Sequence, residues 1–235
     1  MEETITQKRI CSICEIPIAE NFCSRCGQKF TPKPTSTLSL IVDFFSNFFS
    51  LEKSGFATIL KILKNPKPIV ENYYSGYKNY YASPGKILLY GIGVVALHVN
   101  FVDEKILGLS LNLDNLNKQY SFWLALLPFL LFASYLSFIR IEKSFSKHLI
   151  SLIYIATPWF MVITILNDLI FLVWDKEFNV WPLILYIILV FFWNSRVFTS
   201  KNKKWFVLWN TIIQLAVFMG IIGIIVLTTN QYINN

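Results

Sequence analysis

Charge is scarce in this sequence: Asp, Glu, Lys and Arg make up 15% of its 235 residues, against 54% hydrophobic residues and a mean hydropathy of +0.50. The charges present cluster in the first 86 positions and in a few short segments between apolar runs. A water-soluble protein needs polar surface on every side. The second half of the chain lacks it, which excludes an ordinary soluble domain and makes lipid the natural solvent.

Other absences narrow the reading. No cysteine lies beyond position 26, so thiol chemistry is confined to the N-terminal arm. The chain has no HExxH, no glycine-rich phosphate loop and no nucleophile elbow, and no catalytic constellation can be assembled. The N-terminus, MEETITQKRI, is acidic at its start and no apolar h-region follows it. No cleavable signal peptide is therefore expected, and the first hydrophobic span serves as the insertion signal.

What is present is a series of five apolar runs, at about 87–102, 121–139, 149–173, 181–198 and 205–227. Runs of roughly 17 to 25 residues match the hydrocarbon thickness of a bilayer. Pro128 and Pro158 fall inside the second and third runs, and Pro182 suits the first turn of the fourth. The expected fold is an all-α polytopic membrane protein of about five transmembrane helices with a small N-terminal zinc ribbon. Residues 1–30 form the ribbon, 31–86 a linker with amphipathic juxtamembrane helices, and 87–235 the membrane domain.

The net charge is +7, and its placement sets an orientation. Of 21 Lys and Arg, eleven lie in residues 1–86, three in 140–148 and four in 196–204, leaving only Lys105, Lys118 and Lys176 elsewhere. The positive-inside rule puts the N-terminus in the cytoplasm and, after five crossings, the uncharged tail outside. Trp123, Trp174, Trp181 and Trp205 stand at expected span ends, as interfacial indoles do.

The four cysteines read Cys11-x2-Cys14-x8-Cys23-x2-Cys26. Two thiolate pairs at this spacing suit tetrahedral zinc with no open position, a structural site rather than a catalytic one. Some twenty residues cannot bury a useful core, so Zn2+ supplies most of the folding energy. Gly27, after the last ligand, relieves a tight turn. Lys8, Arg9, Arg25 and Lys29 make the ribbon basic, but four scattered charges without an aromatic stacking platform are weak support for a nucleic-acid site, and a protein partner or the chain's own membrane domain is preferred.

Between ribbon and bundle, Phe44, Phe45, Phe48 and Phe49 recur at helical spacing within 38–50, a helix expected on the inner membrane surface or packed under the bundle. ATILKILKN predicts a second helix. Lys61, Lys64, Lys67, Lys78 and Lys86, with Tyr73, Tyr74, Tyr77, Tyr80 and Tyr81, suit an anionic interface.

Two polar layers emerge within the spans: His98, Asn100, Asn167 and Asp168 towards the outside, and Asn194, Asn210 and Gln214 towards the inside. An ionised Asp168 in hydrocarbon needs protein, water or a partner, and His98 lies at comparable depth. The pair reads either as proton or ion handling or as a brace between two spans. Asn210 and Gln214, one turn apart, read as interhelical glue or a ligand groove. His148, beside Lys147 at a membrane boundary, reads as a surface residue.

CSIC at 11–14, FCSRCGQK at 22–29, GFATIL at 55–60 and NPKPIVENYYSGYKNYYASPGKIL at 65–88 together resemble a bacterial family of uncharacterised membrane proteins, a domain-of-unknown-function family with an N-terminal zinc ribbon. Pro66, Tyr73, Gly76, Tyr80, Tyr81 and Pro84 occupy that family's arm pattern. Glu15 stands where a glycine is usual after the first knuckle, and Tyr77 and Asn79 replace usual arginines near Gly76. The resemblance implies a multi-pass protein of the bacterial inner (cytoplasmic) membrane, in contact with the lipid bilayer, and names no activity.

The preferred function is a membrane-anchored interaction or regulatory module, with a protein partner or self-association and without nucleic acid. The alternatives are a transporter or channel component built around His98, Asn167, Asp168, Asn194, Asn210 and Gln214, and an enzyme acting on lipid or envelope, which lacks a nucleophile–base pair.

Overall fold

A computed structural model describes residues 9–18, 21–30, 36–40, 55–78, 80–102, 107, 118–174, 180–199 and 204–233; in helix 118–138, side chains are described from Ala125 onward. The phenylalanine-rich stretch 41–50 lies outside the described residues, as do the side chains of Trp123 and Trp174.

The chain is mostly helical. Among the described residues, four two-residue strands, β1 (Arg9–Ile10), β2 (Pro17–Ile18), β3 (Lys29–Phe30) and β4 (Tyr77–Lys78), belong to the arm. The longer helices among the described residues are, in chain order, α1 (Gly55–Lys64), α2 (Lys67–Tyr74), α3 (Pro84–Phe101), α4 (Lys118–Phe138), α5 (Phe145–Trp174), α6 (Trp181–Phe198) and α7 (Lys204–Ile233). Ser83 caps α3, its hydroxyl accepting from the Lys86 N–H at 3.4 Å, and Pro84 supplies a pre-set first-turn φ. The first apolar helix therefore begins three residues before its expected start at 87.

Among the described residues, four helical stretches are long and apolar enough to cross a membrane: Pro84–Phe101, Phe145–Val173, Trp181–Phe198 and Lys204–Thr228. A shorter apolar stretch in α4, Ala125–Phe138, is the fifth. Exposed Leu169, Leu172, Trp181, Trp205, Ile224 and Leu227 have no water-soluble rationale and suit a membrane-embedded protein.

Helix α5 is the central post, with 61% of its span window buried against 17% for α7. It packs on α3, α4, α6, α1 and α2, while α7 closes the bundle against α4 and α6. Tyr154, Tyr186, Phe138, Phe160 and Phe191 are among its largest fully buried side chains. Pro158 is buried and Pro128 exposed, and α4 and α5 each run through their proline as one helix.

The arm is fastened to this bundle rather than spread beneath it. Tyr73 is buried with its ring edge-on to Tyr154, 5.8 Å between centroids, and Tyr154 Oη donates to the Ala82 carbonyl at 2.8 Å. Thr58 Oγ1 accepts from the Ala82 N–H at 3.1 Å, and Lys86 is buried. Lys61 lies over the rings of Tyr80 and Tyr81. Tyr73 and Lys86 thus serve internal packing, not the lipid interface that composition suggested. The short stretch 36–40 also reaches α5, where the Thr37 and Ser146 hydroxyls are 3.0 Å apart.

Candidate functional site

The cysteine arm folds as two knuckles of the same design. In each, the first cysteine's N–H bonds to the carbonyl five residues on (Cys11 to Ile16, 2.8 Å; Cys23 to Gln28, 2.9 Å). Its carbonyl accepts from the residue four on (Glu15, 3.0 Å; Gly27, 2.9 Å). Equivalent positions therefore need a left-handed backbone, and Gly27 has φ 70° where Glu15 has φ 58°. Glycine meets that demand freely, while glutamate crowds its Cβ against the carbonyl.

This geometry gathers the sulfurs of Cys11, Cys14, Cys23 and Cys26 within 4.8 Å of one another, and all four are free of disulfides. A tetrahedral ion with metal–sulfur bonds of about 2.3 Å needs sulfur–sulfur edges of about 3.8 Å. The Cys11–Cys26 separation is 3.6 Å, so the thiol set fits a bound metal with small adjustments. N–H groups of Cys26 and Arg25 pointing at the Cys23 sulfur lower its pKa to about 7, whereas burial pushes Cys14 up and Cys26 to about 12.

Gln28 supplies a second sign of fit. Its side chain is fully buried; Oε1 lies 3.1 Å from Cys11 Sγ and 3.1 Å from Ser12 Oγ, while Nε2 has no partner. A thiolate at Cys11 cannot donate to Oε1. Turning the amide over brings Nε2–H onto that sulfur, which satisfies the orphaned donor and braces a charged ligand.

The arm's second knuckle is joined to the bundle side. Strand β3 pairs antiparallel with β4, Lys29 opposite Lys78 and Phe30 opposite Tyr77. The Phe30 and Tyr77 rings stand 4.9 Å apart, and Tyr77 Oη donates to the Ile10 carbonyl at 3.1 Å. One tyrosine beyond α2 thus touches both knuckles.

Within the bundle the structure brings His98 of α3 and Asp168 of α5 to 2.7 Å, Nδ1 to Oδ1, with the imidazole buried and the carboxyl nearly so. Asn167 turns elsewhere and lines a separate 410 Å³ cavity with Ile163, Ile170, Trp181 and Leu185. Asn100 is exposed and bonds its own helix at the Ala96 carbonyl, 2.6 Å.

Asn194, Asn210 and Gln214 do not form one layer. Asn210 Nδ2 donates to Thr199 Oγ1 at 2.8 Å. Asn194 instead centres a network across four helices: Nδ2 donates to Ser134 of α4 and to Gln214 Oε1 of α7, each at 2.7 Å, and Oδ1 accepts from Ser151 of α5 at 2.9 Å. Gln214 Nε2 donates onward to Ser195 Oγ at 2.7 Å.

His148 belongs to this network and corrects the surface reading. It is fully buried, its ring stacked 4.3 Å from Phe198, because α5 starts at Phe145 and turns this position inward. Nε2 faces the Glu142 carbonyl at 3.2 Å, which can only accept, so Nε2 carries the proton and Nδ1 accepts from Ser134 Oγ at 3.0 Å. Outside the span, burial raises the Glu142 pKa, but hydrogen bonds from Lys147 and the Ser144 N–H outweigh it and hold the carboxyl below its usual value.

Comparison with protein-family models, with curated proteins and with solved structures finds no match to this chain. The site residues alone therefore carry the functional reading.

Proposed function

We propose that the protein is a membrane-anchored zinc-ribbon module of the bacterial inner membrane, its N-terminus cytoplasmic, that presents or relays a binding event to its own helical bundle. The observation that carries this reading is the β3–β4 pairing, through which the four-thiol unit and the arm before α3 become one continuous piece. Four thiolates leave zinc no open position, so the metal shapes a surface rather than performing a reaction. The arm in turn grips α5 through Tyr73 and Tyr154, giving a partner's contact on the ribbon a rigid route to the bundle's central helix.

The test is affinity recovery from native membranes in mild detergent, comparing the natural chain with Cys23→Ser and Tyr77→Ala at matched expression. A partner lost in Cys23→Ser, with the spans still inserted, supports the module. Equal recovery from all three sinks it.

A second reading, transport or ion passage, is favoured by the His98–Asp168 pair. An acid and a base at 2.7 Å can exchange a proton, and the same geometry serves equally as a brace between α3 and α5. Five helices are few for a monomeric transporter, so this reading requires an oligomer. Proton or solute flux in reconstituted vesicles that survives Asp168→Asn removes the pair from any such path.

A further inference from the structure

Where the arm meets the bundle, a cavity of about 580 Å³ lies between the α1–α2 turn and the α6–α7 connection. Three cations line it, Lys67, Arg196 and Lys204, together with Asn65 and Thr199. No carboxylate is among the described lining residues, and the sequence contains no Asp or Glu after Glu177, although Arg196, Lys201, Lys203 and Lys204 all follow. Two of the cations are held without being neutralised: Lys67 Nζ donates to the Thr199 carbonyl at 3.4 Å, and the Arg196 guanidinium sits 4.5 Å over the Trp193 ring. Like charges gathered in one cavity repel, and a bound anion relieves that repulsion.

The remaining walls indicate the anion's source. Phe192 and Leu208 make one side apolar, and the cavity sits at the adjoining ends of two stretches long and apolar enough to cross a membrane, Trp181–Phe198 and Lys204–Thr228. A soluble phosphate needs no apolar wall, whereas a lipid brings acyl chains below its headgroup.

We propose that this cavity binds the phosphate headgroup of an anionic phospholipid. Arg196 offers two parallel N–H donors to the phosphate, Lys67 and Lys204 add point charges, and Asn65 and Thr199 face the headgroup's polar substituent. The acyl chains run along Phe192 and Leu208. Basic pockets between membrane helices recognise headgroups in this way.

The full-length chain, purified in neutral detergent, is titrated with phosphatidylglycerol, phosphatidylcholine and soluble glycerol phosphate, and bound ligand is counted by native mass spectrometry. Phosphatidylglycerol binds saturably and in preference to phosphatidylcholine. Lys204→Gln, an exposed position outside the core, weakens it roughly fivefold, while Lys64→Gln, an equal charge loss on the exposed face of α1, changes it less than about twofold. Arg196→Gln also weakens it, and Arg196→Lys restores part of the loss. Helix content and elution volume are followed throughout, so that misfolding is told apart from lost binding. Equal binding of the two lipids, or equal losses from Lys64→Gln and Lys204→Gln, overturns the site. Glycerol phosphate binding as tightly as the lipid overturns the lipid assignment.

Discussion

The cysteine arm buries Cys11, Ile18 and Cys23 as its core, whereas the bundle buries a continuous cluster of large side chains reaching from α1 to α7. In the arm, sulfur forms the core in a geometry compatible with a metal site, and the cluster has too little apolar area to offset the entropy of ordering its loops. In the bundle the apolar packing is ample, and polar groups are present where they fix how the helices meet. One region gathers thiols in a geometry that fits a metal; the other ties Asn194, Gln214 and Ser134 across helices by hydrogen bonds, though the buried Thr157 and Thr164 hydroxyls have no hydrogen-bond partner among the described residues.

The largest effect that sharpens this contrast is metal loss. Chelation or Cys23→Ser should abolish hydrogen-exchange protection across residues 9–30, a loss on the order of 10 kcal/mol in apparent metal-coupled folding energy. Helix content should stay unchanged, because β3–β4 and Tyr77 are the arm's main ties to the rest. Loss of bundle helicity alongside the arm would break the comparison. Because burial pushes Cys26 to about 12, metal must displace its proton, and apparent affinity falls as pH falls, about tenfold per unit for each proton displaced. A chromophoric chelator competed at two pH values reads this slope.

Next comes Asn194→Leu, which removes three hydrogen bonds and leaves Ser151 Oγ and Gln214 Oε1 without their partner in the buried interior. A cost of about 2–4 kcal/mol is expected in reversible unfolding from mixed micelles. The arm's metal affinity should not move. Asn210→Leu, which breaks only the bond to Thr199, should cost less than half as much.

Gly55→Ala probes packing within the bundle, where α1 meets α3. A Cβ there would sit 2.5 Å from Tyr90 Oη and 2.8 Å from its ring, so Tyr90 must move. About 1–2 kcal/mol of bundle stability should be lost, and a smaller residue at position 90 should restore it.

How far these features could be read in advance depended on how local their signal is. Apolar runs and Cys-x2-Cys spacing are properties of contiguous residues, so helices and thiol cluster were both legible in the sequence. Matched depth along two spans was enough to consider His98 with Asp168, seventy residues apart, as partners. Depth failed for Asn210 and Gln214, because one helical turn separates a bond to Thr199 at the end of α6 from bonds to Asn194 and Ser195 inside it. His148 failed because a lysine neighbour marks a boundary in sequence, while the helix start at Phe145 decides which way the ring turns. The β3–β4 pairing joins two-residue strands, too short to show any alternation.

The smallest effect tests whether backbone alone separates the two knuckles. Their hydrogen bonds match, yet the first holds Glu15 at φ 58° where the second holds Gly27 at φ 70°. Glu15→Gly removes the steric cost of a left-handed residue but loosens the metal-free chain, so the net gain should be up to about 1 kcal/mol. Gly27→Ala should lose a similar amount, even though an added Cβ there meets nothing within 4 Å. Since open space rules out a clash, the loss can come only from the dihedral. The pair of variants, read by metal competition, should therefore shift affinity in opposite directions by about fivefold or less. A Gly27→Ala protein with unchanged affinity would mean that metal coordination, rather than backbone preference, sets the shape of both turns.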